Sequence, residues 1–223
     1  MKEFNPNNDQ KLRLYIMEQF SSEDWQPAYD FLKAGEKADN SPQVINFDES
    51  SMPDGVYVCY KDGAKQLFDG KNPTANVSHI GIIAGGRSLG IALSSYGEQK
   101  LPYKRDYNDD PDWTYRKGSI PTLDDFNGKE NTRHLIQHGD FSFDLEANEW
   151  IPSMGELALI WRNRERINEA LKHVGGAPFI SDWYWSSTEL SATGAWYLGF
   201  SNGTLSSYNG KSYTNVVRAV CAF

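Results

Sequence analysis

The chain is poor in cysteine, with only Cys59 and Cys221 among its 223 residues. Two are too few for a disulfide framework, and they lack the paired spacing of a structural zinc site. They read as two thiols buried in apolar strands. A bridge between them is the lesser alternative, favoured by pairing of the first and last strands and opposed by a cytosolic start. Positive charge is scarce too: 22 Lys and Arg face 30 Asp and Glu, for a formal net charge of -8. That balance argues against nucleic acid and anionic membrane as partners, since both need clustered basic side chains. No apolar run approaches the length of a membrane span. The opening MKEFNPNNDQ lacks an apolar signal core, so the chain is expected to be made in the cytoplasm and not to leave by the usual secretory route. No G-x-S-x-G elbow, Ser-His-Asp constellation or G-x-G-x-x-G loop is recognisable. Gly85-Gly86-Arg87 has neither P-loop spacing nor a following helix, and reads as a hairpin turn.

Aromatic residues are plentiful: seven Trp, twelve Tyr and eleven Phe. In an acidic chain this suits a loop-rich fold with large anchors and a contact surface built from Tyr and Trp. The length fits one domain, or one domain with an appendage. Residues 1–38 read as a helical hairpin, with Leu12, Tyr15, Ile16 and Phe20 at helical spacing and a second helix from SSEDW to about Ala34. It either packs on the main domain or docks on a larger assembly. Residues 39–54 are polar and read as a linker. Residues 55–223 form the main domain.

Within that domain, strands are predicted over 55–60, 79–84, 88–93, 180–185 and 194–200. An uninterrupted last strand is predicted over 216–223. Ser153 and Glu156 form a capping box for a helix whose apolar face is Leu157, Ile160, Trp161, Ile167, Leu171 and Val174. A shorter helix, capped by Asn131-Thr132, runs through Leu135 and Ile136. His134 and His138 share one face of it, but with no third ligand evident they read as packing or surface histidines, not a metal site. Asp106, Asp109, Asp110 and Asp112 lack EF-hand spacing and read as a solvated loop instead of a calcium site.

The last segment is the most specific. It reads WYWSSTE from Trp183, then LSATGAWYLGFSNGTLSSYNGKSYTN, then VVRAVCAF. Apolar ends frame a middle of Ser, Thr, Asn, Gly and Tyr, the composition of a binding surface such as a paratope. Asn202-Gly203 and Asn209-Gly210 mark turns. The pattern W-Y-W-S-S-T-E, A-W, F-x-N-G, Lys211 and V-R-A-V-x-A-F resembles C-type-lectin-fold proteins of the formylglycine-generating-enzyme type. The nearest likeness is to the Lcl-type C-terminal domain and the variable proteins of diversity-generating retroelements. FNGKENT (Phe126 to Thr132) and WIPSMGEL (Trp150 to Leu157) also resemble that family.

The resemblance implies an α+β, C-type lectin-like fold with short twisted antiparallel strands, scaffold helices and long loops, preceded by the N-terminal helical segment. It implies that the 216–223 strand pairs with Val56–Tyr60, and it implies a display face over 189–215. The variable contact positions would be Leu190, Ser191, Thr193, Gly194, Tyr197, Gly199, Ser201, Thr204, Ser206, Ser207, Tyr208, Asn209, Ser212, Tyr213 and Thr214. Tyr197, Tyr208 and Tyr213 would be the anchors, because Tyr adds contact area at low entropy cost. Trp183, Trp185, Trp196, Phe200 and Arg218 would be scaffold. The function implied is non-catalytic recognition of a host cell-surface receptor, protein or glycan, by a phage tail-associated protein; a trimer would match a fibre tip. Virion or tail proteins would be its other partners, with no cofactor, metal or membrane insertion. Formylglycine-generating enzymes use a pair of nearby cysteines, and the surroundings of Cys59 and Cys221 do not resemble that site. The alternatives are a structural virion or envelope subunit with a fixed partner, and an enzyme on the same scaffold.

Overall fold

The computed structural model describes residues 52–103, 108–139 and 141–223. The expected helical hairpin over 1–38, most of the expected linker, and Asp106 lie outside the described residues. The described chain is α+β, with short, mostly antiparallel strands in two sheets and a few helices. The six-stranded sheet runs β2 (Lys65–Leu67), β1 (Gly55–Tyr60), β3 (Val77–Ala84), β4 (Arg87–Ala92), β11 (Val220–Cys221) and β6 (Glu149–Trp150). The five-stranded sheet runs β5 (Gly97–Gln99), β10 (Asn215–Val217), β7 (Trp183–Ser191), β8 (Gly194–Gly199) and β9 (Leu205–Ser206). Four helices are described: α1 (Ser119–Leu123), α2 (Gly128–Ile136), α3 (Met154–Arg162) and α4 (Arg164–His173).

The alternating apolar pattern of β1, β3 and β4 puts Val56, Val58, Ile80, Ile82, Leu89 and Ile91 on one face. There they pack with Leu157, Ile160, Ile167 and Leu171 of the helices and with Tyr184, Trp196 and Phe200 of the second sheet. The β3–β4 turn is the expected hairpin, with Gly85 and Gly86 at φ 60° and 72°. On the opposite face Gly81 and Gly90 stand paired. A Cβ on Gly81 would lie 2.2 Å from the Phe223 ring, and one on Gly90 2.5 Å from the Cys221 sulfur. Cys59 and Cys221 are thiols, not a bridge. Burial and Glu149 push the Cys221 thiol up to about 11.

The last strand departs from expectation. It does not pair with β1, whose neighbours are β2 and β3. Val216–Phe223 is not one strand either. β10 runs parallel to β7, and β11 lies between β4 and β6 in the other sheet. The chain crosses between sheets at Arg218-Ala219. Arg218 turns inward and donates to the carbonyls of Ala92 (2.9 Å) and Ala177 (2.7 Å), its plane over the Phe179 ring. Burial pulls this guanidinium down to about 10. A charged side chain so enclosed, with carbonyl partners on separate segments, holds the crossover in place.

The predicted helix after Ser153 is interrupted. Asn163 ends α3 and begins α4 with φ -109° and ψ 9°, and its side-chain amide donates to Leu159 O at 2.9 Å. Such back-bonding competes with the helix's own ladder. The apolar face continues across the break, because Ile160 and Ile167 are both fully buried. Asn131 and Thr132 do not cap α2. They lie within it, facing inward, while Asn127 occupies the N-cap position.

The capping box at Ser153 forms as read, with Glu156 accepting from Ser153 N at 2.8 Å. Burial pushes Glu156 up to about 7, against the hydrogen bonds it accepts from Ser153 and Trp150. A raised carboxyl pKa means that folding takes up a proton between about pH 4.5 and about 7. The contribution is full below the unfolded value and is lost as pH rises through the folded one. Stability should fall across that window, by at most about 1.4 kcal/mol per pH unit from this group. Urea midpoints at a series of pH values measure it, and Glu156→Gln should flatten the slope.

Candidate functional site

The WYWSSTE run builds the floor of the site. It continues as β7 through Ser191, so the strand does not stop at Trp185 as expected. Ser186, Ser187, Thr188 and Glu189 are all buried. Buried polar groups need partners, and each of these has them. Ser186 Oγ donates to Trp196 O at 2.7 Å and Ser187 Oγ to Ile151 O at 2.8 Å. Thr188 Oγ1 donates to Asp125 Oδ2 at 2.7 Å and accepts from Met154 N at 2.8 Å. Asp125 Oδ2 also accepts from Asn131 Nδ2 at 2.8 Å. These short side chains join β7 to the α2 and α3 segments.

Glu189 is the junction. One carboxylate oxygen accepts from the Lys211 ammonium and the other meets His134 Nδ1. Lys211 is fully buried and also donates to Ala192 O at 2.9 Å. Burial pushes the Lys211 ammonium below the usual lysine range, and the Glu189 charge opposes that shift. Three segments converge above this pair. The β7–β8 turn is joined to the 206–214 loop by Lys211 N donating to Thr193 O at 2.8 Å and by the Gly194–Gly210 bridge. The 108–116 loop joins them through Ala192 N donating to Asp109 Oδ1 at 2.8 Å and Arg116 N donating to Glu189 O at 2.9 Å.

The expected contact residues divide by place. Ser201, Thr204, Tyr208, Ser212, Tyr213 and Thr214 are exposed, with Tyr208 at 94% and Tyr213 at 61%. Leu190, Ser191, Thr193, Ser206, Ser207 and Asn209 are half-buried. Gly194, Tyr197 and Gly199 are buried, and Tyr197 is not a contact anchor. Strand β8 is covered on both faces: Ala195 and Tyr197 pack in one cluster, Trp196 and Leu198 in another. The Tyr197 ring takes Trp183 and Trp185 edge-on, and its hydroxyl accepts from Ser206 Oγ (2.9 Å) and Asn209 N (3.2 Å). It braces the loop from below. A Cβ on Gly199 would lie 3.0 Å from the Trp183 ring. The boundary residues Glu189 and Asn215 are buried too. Ser201 and Thr204 belong to the turn at the far end of β8, about 17 Å from Gly194 at strand rise. The residues brought together are therefore those of 190–194 and 206–214.

No known protein family matches the sequence, and no curated protein is similar to it at a significant level. Among solved structures, the chain is similar in fold to a fimbrial protein from Bacteroides ovatus ATCC 8483. The two share 18% identity at a TM-score of 0.59, over 77% of this chain and 49% of that one. This chain thus spans about half the length of that structure, and at such identity the likeness is one of fold.

Sequence reasoning missed the partnership of Glu189, Lys211 and His134. Their types gave a signal, since Lys and Glu stand alone in a run of small polar residues. Their separations along the chain gave none.

Proposed function

We propose that this chain is a non-catalytic subunit of a surface assembly, carrying a binding face over 190–194 and 206–214. The observation that carries this reading is the pair of bare tyrosines, Tyr208 and Tyr213, on a loop whose base is held by a buried ion pair. Large rings left in water on an anchored loop are suited to contact. The fold likeness to a fimbrial protein supports an appendage or envelope setting with a protein or glycan partner. Residues 1–38 would be the part that docks on the assembly.

A finer reading is a C-type lectin-like variable protein of a phage tail, its face diversified for host receptors and multiplied in a trimer. The exposed Ser and Thr set beside the tyrosines favours it. A template repeat near the gene, differing only at adenines beside a reverse transcriptase, would establish it. Without such a repeat, the fixed-partner subunit stands.

The binding face is tested with Tyr208→Ala and Tyr213→Ala. Each should leave stability within about 0.5 kcal/mol, as surface changes do. The pair should weaken capture on a glycan array or on outer-membrane protein fractions by about 10-fold or more. Unchanged capture by the double variant would remove the face from these residues.

A further inference from the structure

We infer that Asp110, His134 and His138 form a binding site for a divalent transition-metal ion of the zinc type. The three residues each offer a ligand atom, all within 4.8 Å of one another. His134 Nε2 lies 3.1 Å from His138 Nε2 and 3.6 Å from Asp110 Oδ2. With metal–nitrogen bonds of about 2.0–2.1 Å, the edge of a zinc tetrahedron is roughly 3.3 Å. The two separations from His134 Nε2 are thus close to that edge, and with Asp110 and His138 within 4.8 Å of each other, side-chain rotation can close the third.

Proton accounting points the same way. In a neutral His134 imidazole, the Glu189 carboxylate at Nδ1 keeps the proton on that nitrogen. Nε2 then presents a lone pair toward a carboxylate oxygen and a second imidazole. A carboxylate on the outer nitrogen of a ligating histidine is the usual arrangement behind a zinc ion, where it sets tautomer and ring direction. The ring is also clamped: Trp113 stacks on it at 3.9 Å with 6° between planes, and His134 is only 5% exposed. Asp110 is held as well. Its Oδ1 accepts from Asp112 N at 3.0 Å, and its Oδ2 lies 3.6 Å from His134 Nε2.

The site has room for a fourth ligand. It opens on a pocket of about 210 Å³ lined by Asp110, Asp112, Trp113, Glu130, His134 and Gln137. Two imidazoles with one carboxylate suit zinc, cobalt or nickel better than calcium or magnesium, which prefer all-oxygen shells. A bound ion would tie the 108–116 loop to α2 and, through Glu189 and Lys211, stiffen the base of the 206–214 loop. The site does not depend on the binding-face reading, and either can fail alone.

The experiment is calorimetric titration of zinc into the tag-free, chelator-treated full chain, with cobalt(II) as a spectroscopic probe. One zinc per chain should bind at micromolar affinity or better, and cobalt should give the intense visible bands of a four-coordinate site. His138→Ala, at the half-buried end of the cluster, should weaken zinc by about 100-fold without changing the circular dichroism of the metal-free protein. Asp110→Asn serves as the second variant should His138→Ala fail to fold, with loss of the cobalt bands expected. No stoichiometric zinc binding by the unaltered chain, or binding undiminished in the folded variants, would overturn the assignment. Binding of calcium in preference to zinc would overturn it too.

Discussion

Glu189→Ala should cost about 3–5 kcal/mol of folding stability, the range for breaking a buried ion pair from one side. The substitution leaves the fully buried Lys211 ammonium donating to Ala192 O alone among the described residues. It also removes the carboxylate from His134 Nδ1. Water cannot make up the loss without opening the floor beneath the loops. Urea unfolding monitored by tryptophan fluorescence measures the effect. Pairing Glu189→Gln with Lys211→Met, which removes both charges and keeps volume, should recover a good part of it. A single-variant loss under about 1 kcal/mol, the worth of an exposed pair, would mean that the carboxylate is solvated and does not organise the site.

Trp185→Ala should cost a similar amount, about 3–5 kcal/mol, from lost burial and the cavity left behind. Trp185 is fully buried, its Nε1 donates to Gln99 O at 2.8 Å, and its ring meets Tyr197 edge-on. Trp183 is the internal control. It lies two residues earlier on the same strand and also meets Tyr197 edge-on, but it is 38% exposed. Trp183→Ala should therefore cost clearly less than Trp185→Ala. Equal losses in thermal and urea unfolding would contradict the placement of β7 between a covered and an open position.

The features legible in the sequence were those decided by neighbours along the chain. The Ser153–Glu156 capping box, the Gly85-Gly86 turn and the Asn202-Gly203 turn are local bargains between backbone and adjacent side chains, and they form as read. The α+β class was what the resemblance of the last segment implied, and the described strands and helices agree with it. The features that were not legible depend on distant partners. The strand over 194–200 was visible, but nothing local shows that both of its faces are covered, by different clusters, and this is why Tyr197 is buried. The apolar run after Val216 looked like one strand because nothing local reveals that Arg218 reaches Ala92 and Ala177. The spacing of His134 and His138 was visible, but Asp110 comes from a separate loop. Asn163 broke a helix that the apolar periodicity carried straight through.

The bracing of the loop cluster from beneath has a consequence for how such a molecule changes over generations. Glu189, Lys211 and Tyr197 take their partners from inside the protein. The crown at Tyr208 and Ser212 to Thr214 stands in solvent. On the proposed binding-face reading, drift there would alter what the molecule touches and spare the footing. Drift at the three inner positions would instead cost stability, since their partners are inside the protein. Novelty and integrity would then fall to different residues, in the case of Lys211 and Ser212 to immediate neighbours in the chain.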